Sequence, residues 1–555
     1  MTSEPALPAS PARLKTASSA LIGAAIVLVV LGQTYLIFTK SINWDEFLHL
    51  SQIHDLRGGR LVQAFQMLHT RIFYWVPLVA TDVIRQVQVV RLGMLGFELV
   101  TIAAIFGLAR RFVPVEAALL SCLAYVGGGQ VFQHGFALRP DPIATAMLMS
   151  ALWLAATQRL KLPVVLAIGA LIGLGGAATI KDALYLPCFA GIAWWRYSEA
   201  TDRRQVLRAV ATVGVVASLV FAVAILLHAQ SLPSQAPSVD PQPLRTILPK
   251  FFAEGLFPRG HYTVRQIVMA PLLAAVIALA PLAWRRCGLT GPARVALLGL
   301  MLPLLSLVVY RNTFPYYFVF LLAPVVVAAA PALQLAMRRF DWRFVVAMLL
   351  ASPLILLAKE PREYLGKQRA LIDQVNRMYP PGTPYLSYSG MISDNPRIVP
   401  ILISGVGIAS YHRNGEAIVA REIRRGRVPF IIADHRNIQL ALEGRPVTET
   451  LLPADVAAMR GNYVRFWGPL WLEGKQLPEG STAGTIEIER GGPFTLAGSA
   501  ATIDGNAVRV GEVVELEPGR HMMASTSKVA PILWRGTEVP KPPDKELSGA
   551  IYTDF

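Results

Sequence analysis

Long apolar runs separated by short basic segments fill the first 359 positions, and after them the pattern changes to short alternating runs. Backbone groups in lipid must find their hydrogen bonds within the segment, so an apolar run of about 20 residues entering a bilayer is a helix. The pattern predicts about eleven such crossings, near residues 18–38, 86–109, 113–131, 141–157, 162–179, 182–195, 206–228, 266–284, 290–309, 314–336 and 342–358. The run at 18–38 has no small-residue cleavage site and exceeds a signal-peptide core, so it reads as a retained anchor after a cytoplasmic tail, 1–17. The expected fold class is a polytopic α-helical membrane protein with a C-terminal extracytoplasmic α/β plus β-rich domain.

Composition agrees with a bilayer rather than a soluble core: 54% of the 555 residues are hydrophobic, 16% are charged, and mean hydropathy is +0.46. Cys122, Cys188 and Cys287 all fall in or beside apolar runs, so no disulfide framework supports the C-terminal part. The net charge of +16 is uneven. Residues 360–555 carry 22 basic and 22 acidic side chains, and residues 1–359 carry 30 and 14. A nucleic-acid binder would show its excess on a soluble surface, so no nucleic-acid partner is expected.

The excess instead marks loops. Arg13 and Lys15, Arg110–Arg111, Arg159–Lys161, Arg196–Arg208, Arg285–Arg286 and Arg338–Arg343 all fall on one side if the amino terminus is cytoplasmic. An odd number of crossings then puts the region after 359 outside the cytoplasm. The expected location is the bacterial inner membrane, with the C-terminal domain in the periplasm.

The opposite loops hold the unusual polar residues. The first, 39–85, contains Trp44-Asp45-Glu46 and His49, with aromatic residues at helical spacing further on that predict two short interfacial helices. Two readings stand for the acidic pair: capping of a helix start, or chemistry. The second loop reads Arg139-Pro140-Asp141-Pro142, a helix-start signal beside a guanidinium that needs an anion. It can pair with a carboxylate or bind a phosphate. Lys181-Asp182 forms the third outer turn, where the lysine can snorkel or supply charge. Arg311 opens the segment Arg311-Asn312-Thr313-Phe314-Pro315-Tyr316-Tyr317 against the positive-inside bias. Together the four point to an anionic substrate handled at the outer interface.

In the order, spacing and sidedness of these motifs the sequence resembles the polytopic GT-C glycosyltransferases. The likeness is to the branch of the protein O-mannosyltransferases and the aminoarabinose and galacturonic acid transferases, over residues 18–358. The resemblance implies transfer of a sugar from a polyprenyl-phosphate donor to an envelope acceptor (lipid, polysaccharide or protein) at the outer face. It implies Asp45 as general base, with Glu46 and Asp141 as further catalytic carboxylates. Arg139, Lys181 and Arg311 would then hold the donor phosphate. His49, Tyr316, His261 and Tyr262 are candidate substrate contacts. A divalent metal on Asp45, Glu46, His49 and Asp141 is an open alternative, because some related enzymes act without one and the spacing is no recognised cage.

The large outer loop, 229–265, turns basic and aromatic at Lys250-Phe251-Phe252 and at Phe257-Pro258-Arg259-Gly260-His261-Tyr262, which suits either a mobile cover or a connector resting on headgroups. Beyond the bundle the pattern predicts an outer α/β lobe over 359–478, with strand-like runs at 384–388 and 429–434 and helical stretches at 396–404 and 414–425. A β-rich module over 479–535, with turns at Asp504-Gly505-Asn506 and Glu517-Pro518-Gly519, precedes a loose end over 536–555. Gly390, Gly405 and Gly407 make no dinucleotide fingerprint, and His412, His435 and His521 are scattered. Membrane lipids are the other expected partners. The competing functional classes are a transporter or flippase and a non-catalytic envelope scaffold. A transporter would place its ionisable groups near mid-membrane and show repeat symmetry.

Overall fold

The computed structural model describes residues 11–233, 255–399, 405–447, 450–478 and 480–553. Lys250, Phe251, Phe252 and residues 400–404 of the expected helix at 396–404 lie outside them. The chain forms two compact units. The first comprises Met1–Lys40, Gln52–Arg362 and Asp554–Phe555; the second comprises Ser41–Ser51 and Glu363–Thr553.

The first unit is helical. Among the described residues, six helical stretches are long and apolar enough to cross a membrane: Ser18–Thr39, Val83–Ala109, Arg203–Gln230, Gly291–Val309, Tyr317–Arg339 and Trp342–Lys359. A seventh results if Gly260–Met269 and Pro271–Arg286, bent by 102°, count as one span. Shorter helices occupy Val115–Val126, Pro140–Thr157, Leu162–Ala178 and Leu186–Glu199. Where helices break, the residues explain it. Pro271 lacks an N–H and forces Ala270 out of the helical region, to φ −134° and ψ 64°. The expected run at 113–131 ends at Gly127 and resumes at Gln130, because Gly129 takes φ 57°. Leu186–Glu199 is preceded by a 3₁₀ turn, Ile180–Tyr185, which carries Lys181.

Tyr317–Arg339 is the central helix and is buried from Tyr317 through Leu333. Leu162–Ala178 and Arg203–Gln230 pack closely because Gly169 and Gly173 leave room. A Cβ on Gly173 would lie 2.5 Å from the Ala217 carbonyl, the small-residue contact that lets two membrane helices approach. Polar side chains inside the bundle find one another: the Gln33 amide donates to Glu98 Oε1 at 3.0 Å. At the end of the first helix, Arg91, 1% exposed, donates to the carbonyls of Ile37 and Lys40, which lack intrahelical partners. Lys40 in turn pairs with Glu360 at 2.8 Å.

The second unit is mixed. Among the described residues, helices Glu363–Met378, Gly405–Asn414, Ile418–Arg424, Arg436–Leu442 and Pro453–Asn462 accompany ten strands. These are β1 (Phe430–Ile432), β2 (Tyr463–Trp467), β3 (Leu470–Gln476), β4 (Ala483–Ile488), β5 (Gly492–Ala497), β6 (Ala501–Ile503), β7 (Asn506–Val508), β8 (Val513–Leu516), β9 (Gly519–Ala524) and β10 (Ile532–Arg535). One sheet runs β1-β3-β10-β5-β8 with β2 on β3, and the other runs β4-β9-β6-β7. All the paired strands are antiparallel. Asp504 and Gly505, both at positive φ, make a two-residue turn between Ile503 and its partner Asn506, as a primed hairpin requires. Residues 537–553 contain no helix or strand, yet Leu547 and Ile551 are buried and the Tyr552 hydroxyl bonds Ser389 Oγ at 2.7 Å.

Candidate functional site

In the helical unit, residues from three of the loops singled out in the sequence converge on one aromatic and cationic cluster. Arg139 is extended, at φ −152° and ψ 159°, because Pro140 follows it, and Pro140–Thr157 then starts with Asp141 in its first turn. Asp141 sits where a carboxylate favours a helix N-terminus. Lys181 projects from the 3₁₀ turn, and its Nζ reaches Asp141 Oδ1 at 2.5 Å. The side chains are only 12% and 3% exposed, so this is a desolvated ion pair.

Tyr316 is the hub. The Arg139 guanidinium lies 3.0 Å from its ring centroid, and Lys181 Nζ lies 5.3 Å from it. Phe314 stacks on Tyr316 with centroids 5.6 Å apart, and Tyr262 meets Phe314 at 6.0 Å. His261 stands 4.0 Å from the Tyr262 ring. Arg259 lies over Phe314 at 4.1 Å and donates from Nε to the Arg311 carbonyl at 3.0 Å. Cations on desolvated aromatic faces gain about 2 kcal/mol each. The structure thus brings together Arg139, Asp141, Lys181, His261, Tyr262 and Tyr316, and Arg311 joins them through its backbone. Arg259 and Phe314 belong to the same cluster but were not singled out as site residues from sequence. Their signals were the two basic-aromatic runs at 257–262 and 311–317, which nothing in the sequence joins. Chemically, the guanidinium and ammonium groups of Arg139, Lys181 and Arg259 suit an anion such as a phosphate.

Asp45, Glu46 and His49 belong to the second unit, at the start of helix Trp44–Arg57. Asn43 caps that helix: its Oδ1 accepts from Asp45 N at 3.0 Å, and Glu46 Oε2 accepts from Asn43 N at 3.1 Å. The acidic pair therefore divides its work. Glu46, 2% exposed, closes a capping box with its carboxylate, and Asp45, 6% exposed, enters it through its backbone amide. Trp44 meets Tyr388 with centroids 5.4 Å apart, and His435 stacks on the same Tyr388 ring at 4.1 Å. Burial, and then the Asp45 and Asp434 carboxylates, push the Tyr388 phenol up to about 12. Burial pulls His435 below its usual value, against the opposing charge of Asp434.

The sequence left a divalent metal open on Asp45, Glu46, His49 and Asp141. Among the described residues no three His, Cys, Asp or Glu side chains form a group that could hold an ion. Glu46 gives one carboxylate oxygen to the cap, and Asp141 gives one to Lys181.

No protein-family model matches the sequence, and no curated protein matches it. Solved structures do share its fold. ArnT from Cupriavidus metallidurans bound to undecaprenyl phosphate superposes with a TM-score of 0.53 at 12% identity, over 77% of this chain and 95% of that one. The same protein in the apo state gives 0.51 at 13%, over 78% and 95%. The archaeal oligosaccharyltransferase AglB from Archaeoglobus fulgidus, in complex with an inhibitory peptide and a dolichol-phosphate, gives 0.53 at 11%, over 92% and 95%. The chain shares its fold with these solved structures of ArnT and AglB.

Proposed function

We propose that the protein is a membrane glycosyltransferase that moves a sugar from a polyprenyl-phosphate donor to an envelope acceptor at the outer face of the membrane. One observation carries this reading: the buried Arg139–Tyr316–Lys181–Asp141 cluster, in a fold whose solved counterparts hold undecaprenyl phosphate or dolichol-phosphate. In this reading the lipid tail meets the bundle and the phosphate meets Arg139 and Lys181. An acceptor hydroxyl attacks the anomeric carbon and the sugar–phosphate C–O bond breaks. The polyprenyl phosphate leaves with its charge met by the cations. Asp45 takes the hydroxyl proton, and a single displacement inverts the anomeric centre. Asp141 holds Lys181 in place rather than exchanging protons, and no step is routed through a metal.

The eleven-crossing topology, a cytoplasmic amino terminus and a periplasmic C-terminal domain belong to the same proposal. The domain limits it takes from the sequence are the tail 1–17 and the bundle 18–358 with Ser41–Ser51 counted in the second unit, whereas 359–478 and 479–535 share one sheet and are kept as one unit. The unequal basic charge of residues 1–359 supports this orientation. The test is mass spectrometry of envelope glycolipids and polysaccharide from cells carrying the wild type, Asp45→Asn or Lys181→Met. The reading expects the sugar-bearing species to disappear with either variant. Their persistence with Asp45→Asn would remove the base assignment. Solute uptake into sealed vesicles without a lipid donor would favour a transporter instead.

A further inference from the structure

The segment carrying Asp45 follows the first membrane helix directly in sequence, yet Ser41–Ser51 is built into the second unit. Among the described residues, four attachments do this. The Gln368 side chain, fully buried, accepts from the Ile42 amide at 2.9 Å and donates to the Ile42 carbonyl at 2.7 Å and the Ile551 carbonyl at 3.0 Å. It thereby clamps the backbone three residues before Asp45 against the C-terminal segment. Phe47, on the next turn, packs edge-on against Tyr552 with centroids 6.3 Å apart, and Ser41 Oγ bonds Thr553 Oγ1 at 3.3 Å. Finally, Trp44 rests on Tyr388.

Tyr388 is itself held rigidly. Asp434 accepts from the backbone of Tyr388 at 2.8 Å and of Ser389 at 3.0 Å, and from the Ser387 and Ser389 hydroxyls at 2.7 and 2.5 Å. One carboxylate thus fixes a whole turn, as charge-assisted bonds do. His435 covers the Tyr388 ring.

We propose that the C-terminal unit is the holder of Asp45, with Gln368 and Tyr388 as positioning residues that set where its carboxylate stands. The inference rests on the glycosyltransferase reading for its catalytic consequence, but not for the attachment itself. A base misplaced by a fraction of an ångström loses rate while substrate affinity is kept, so positioning shows as a turnover effect.

The experiment uses full-length protein in lipid nanodiscs, as wild type, Gln368→Leu, Tyr388→Leu and Tyr388→Phe. Hydrogen exchange is followed by mass spectrometry over residues 41–51 and over the helix Val83–Ala109. Exchange at 41–51 is expected to rise at least tenfold in Gln368→Leu while Val83–Ala109 is unchanged, an opening of the order expected for lost buried hydrogen bonds. No rise overturns the attachment, whatever the protein catalyses. Turnover is measured with membranes from cells lacking the gene as the source of donor and acceptor, and affinity is measured with undecaprenyl phosphate. Gln368→Leu and Tyr388→Leu should lose about tenfold or more in turnover with affinity for undecaprenyl phosphate within about twofold, and Tyr388→Phe, which keeps the ring, should recover most of it. Unchanged turnover in both leucine variants, or an equal loss of affinity, overturns the positioning role. A wild type that transfers no sugar overturns the function proposed above and leaves the exchange result to decide the attachment.

Discussion

The Tyr185 hydroxyl donates to the Phe320 carbonyl at 2.6 Å, and the acceptor is available because Pro324, four residues later, has no N–H to offer it. The central helix Tyr317–Arg339 therefore tolerates a proline where neighbouring side chains replace the lost bond, as membrane helices require. Tyr185 is fully buried, and its ring also meets Phe320 at 4.6 Å. Tyr185→Phe keeps the ring and strands the carbonyl. It should cost about 1–3 kcal/mol, read as a lowered midpoint of thermal unfolding in detergent. Adding Pro324→Ala restores the helix's own donor and should recover most of the loss; no recovery would separate the two residues.

The Asp141–Lys181 pair should behave as a buried pair rather than a surface one. Removing either partner leaves a charge with its desolvation uncompensated. Asp141→Asn and Lys181→Met should each destabilise by about 3–5 kcal/mol. The double variant should cost less than the sum, by at least about 1 kcal/mol, because the second change removes the stranded charge. Denaturant unfolding of the four proteins closes the cycle, and simple additivity would place the residues apart in solution.

Much of this arrangement is local and so was legible from the chain. The apolar runs give helices because lipid leaves the backbone no other choice, and all eleven expected segments contain helix in the structure. Asp141-Pro142 opens a helix, and Asp504-Gly505 turns a hairpin, for reasons confined to a few residues. Asn43-x-x-Glu46 is likewise a local capping box, readable within four residues. Two features were not legible. Gln368 meets Ile42 across more than 300 positions, and a buried amide on an amphipathic helix announces no partner. The 102° bend at Pro271 turns an apparently continuous run into two pieces, and proline in a membrane helix does not by itself specify a bend of that size.

Gly135 marks the tightest contact around the buried carboxyl of Glu98. A Cβ there would stand 2.2 Å from Glu98 Oε1, the atom that accepts from Gln33. The backbone of Gly135 is helical, at φ −60° and ψ −31°, so alanine meets no torsional objection and only the clash remains. Gly135→Ala should destabilise by about 1–3 kcal/mol through overpacking. The same substitution in a Glu98→Ala background, which removes the obstructing group, should cost much less. Equal costs in both backgrounds, measured by thermal unfolding in detergent, would show that the strain lies elsewhere.

The hairpin of β6 and β7 should lose protection above neutral pH. Asp504 accepts from His521 Nδ1 at 2.6 Å and from the Met522 amide at 2.8 Å. The Asp504 bond, with the Glu517 carbonyl on the other ring nitrogen, raises His521 above its usual value, and the His521 and Met522 bonds lower Asp504 below its own. A raised histidine gives its full contribution below its unfolded value of about 6.5 and loses it as pH climbs through the folded one. A lowered aspartate gives its contribution above about 3.9 and loses it as pH falls through the folded value. The pair is therefore complete from roughly pH 4 to 6.5 and fades above that. Both groups face solvent, so the effect is local. Amide exchange over 501–508 and 519–524, corrected for the intrinsic rate, should speed up in the wild type as pH rises from roughly 6.5, the unshifted histidine value, through the raised folded one. Asp504→Asn should abolish most of that dependence. The same dependence in wild type and variant would mean that another group sets it.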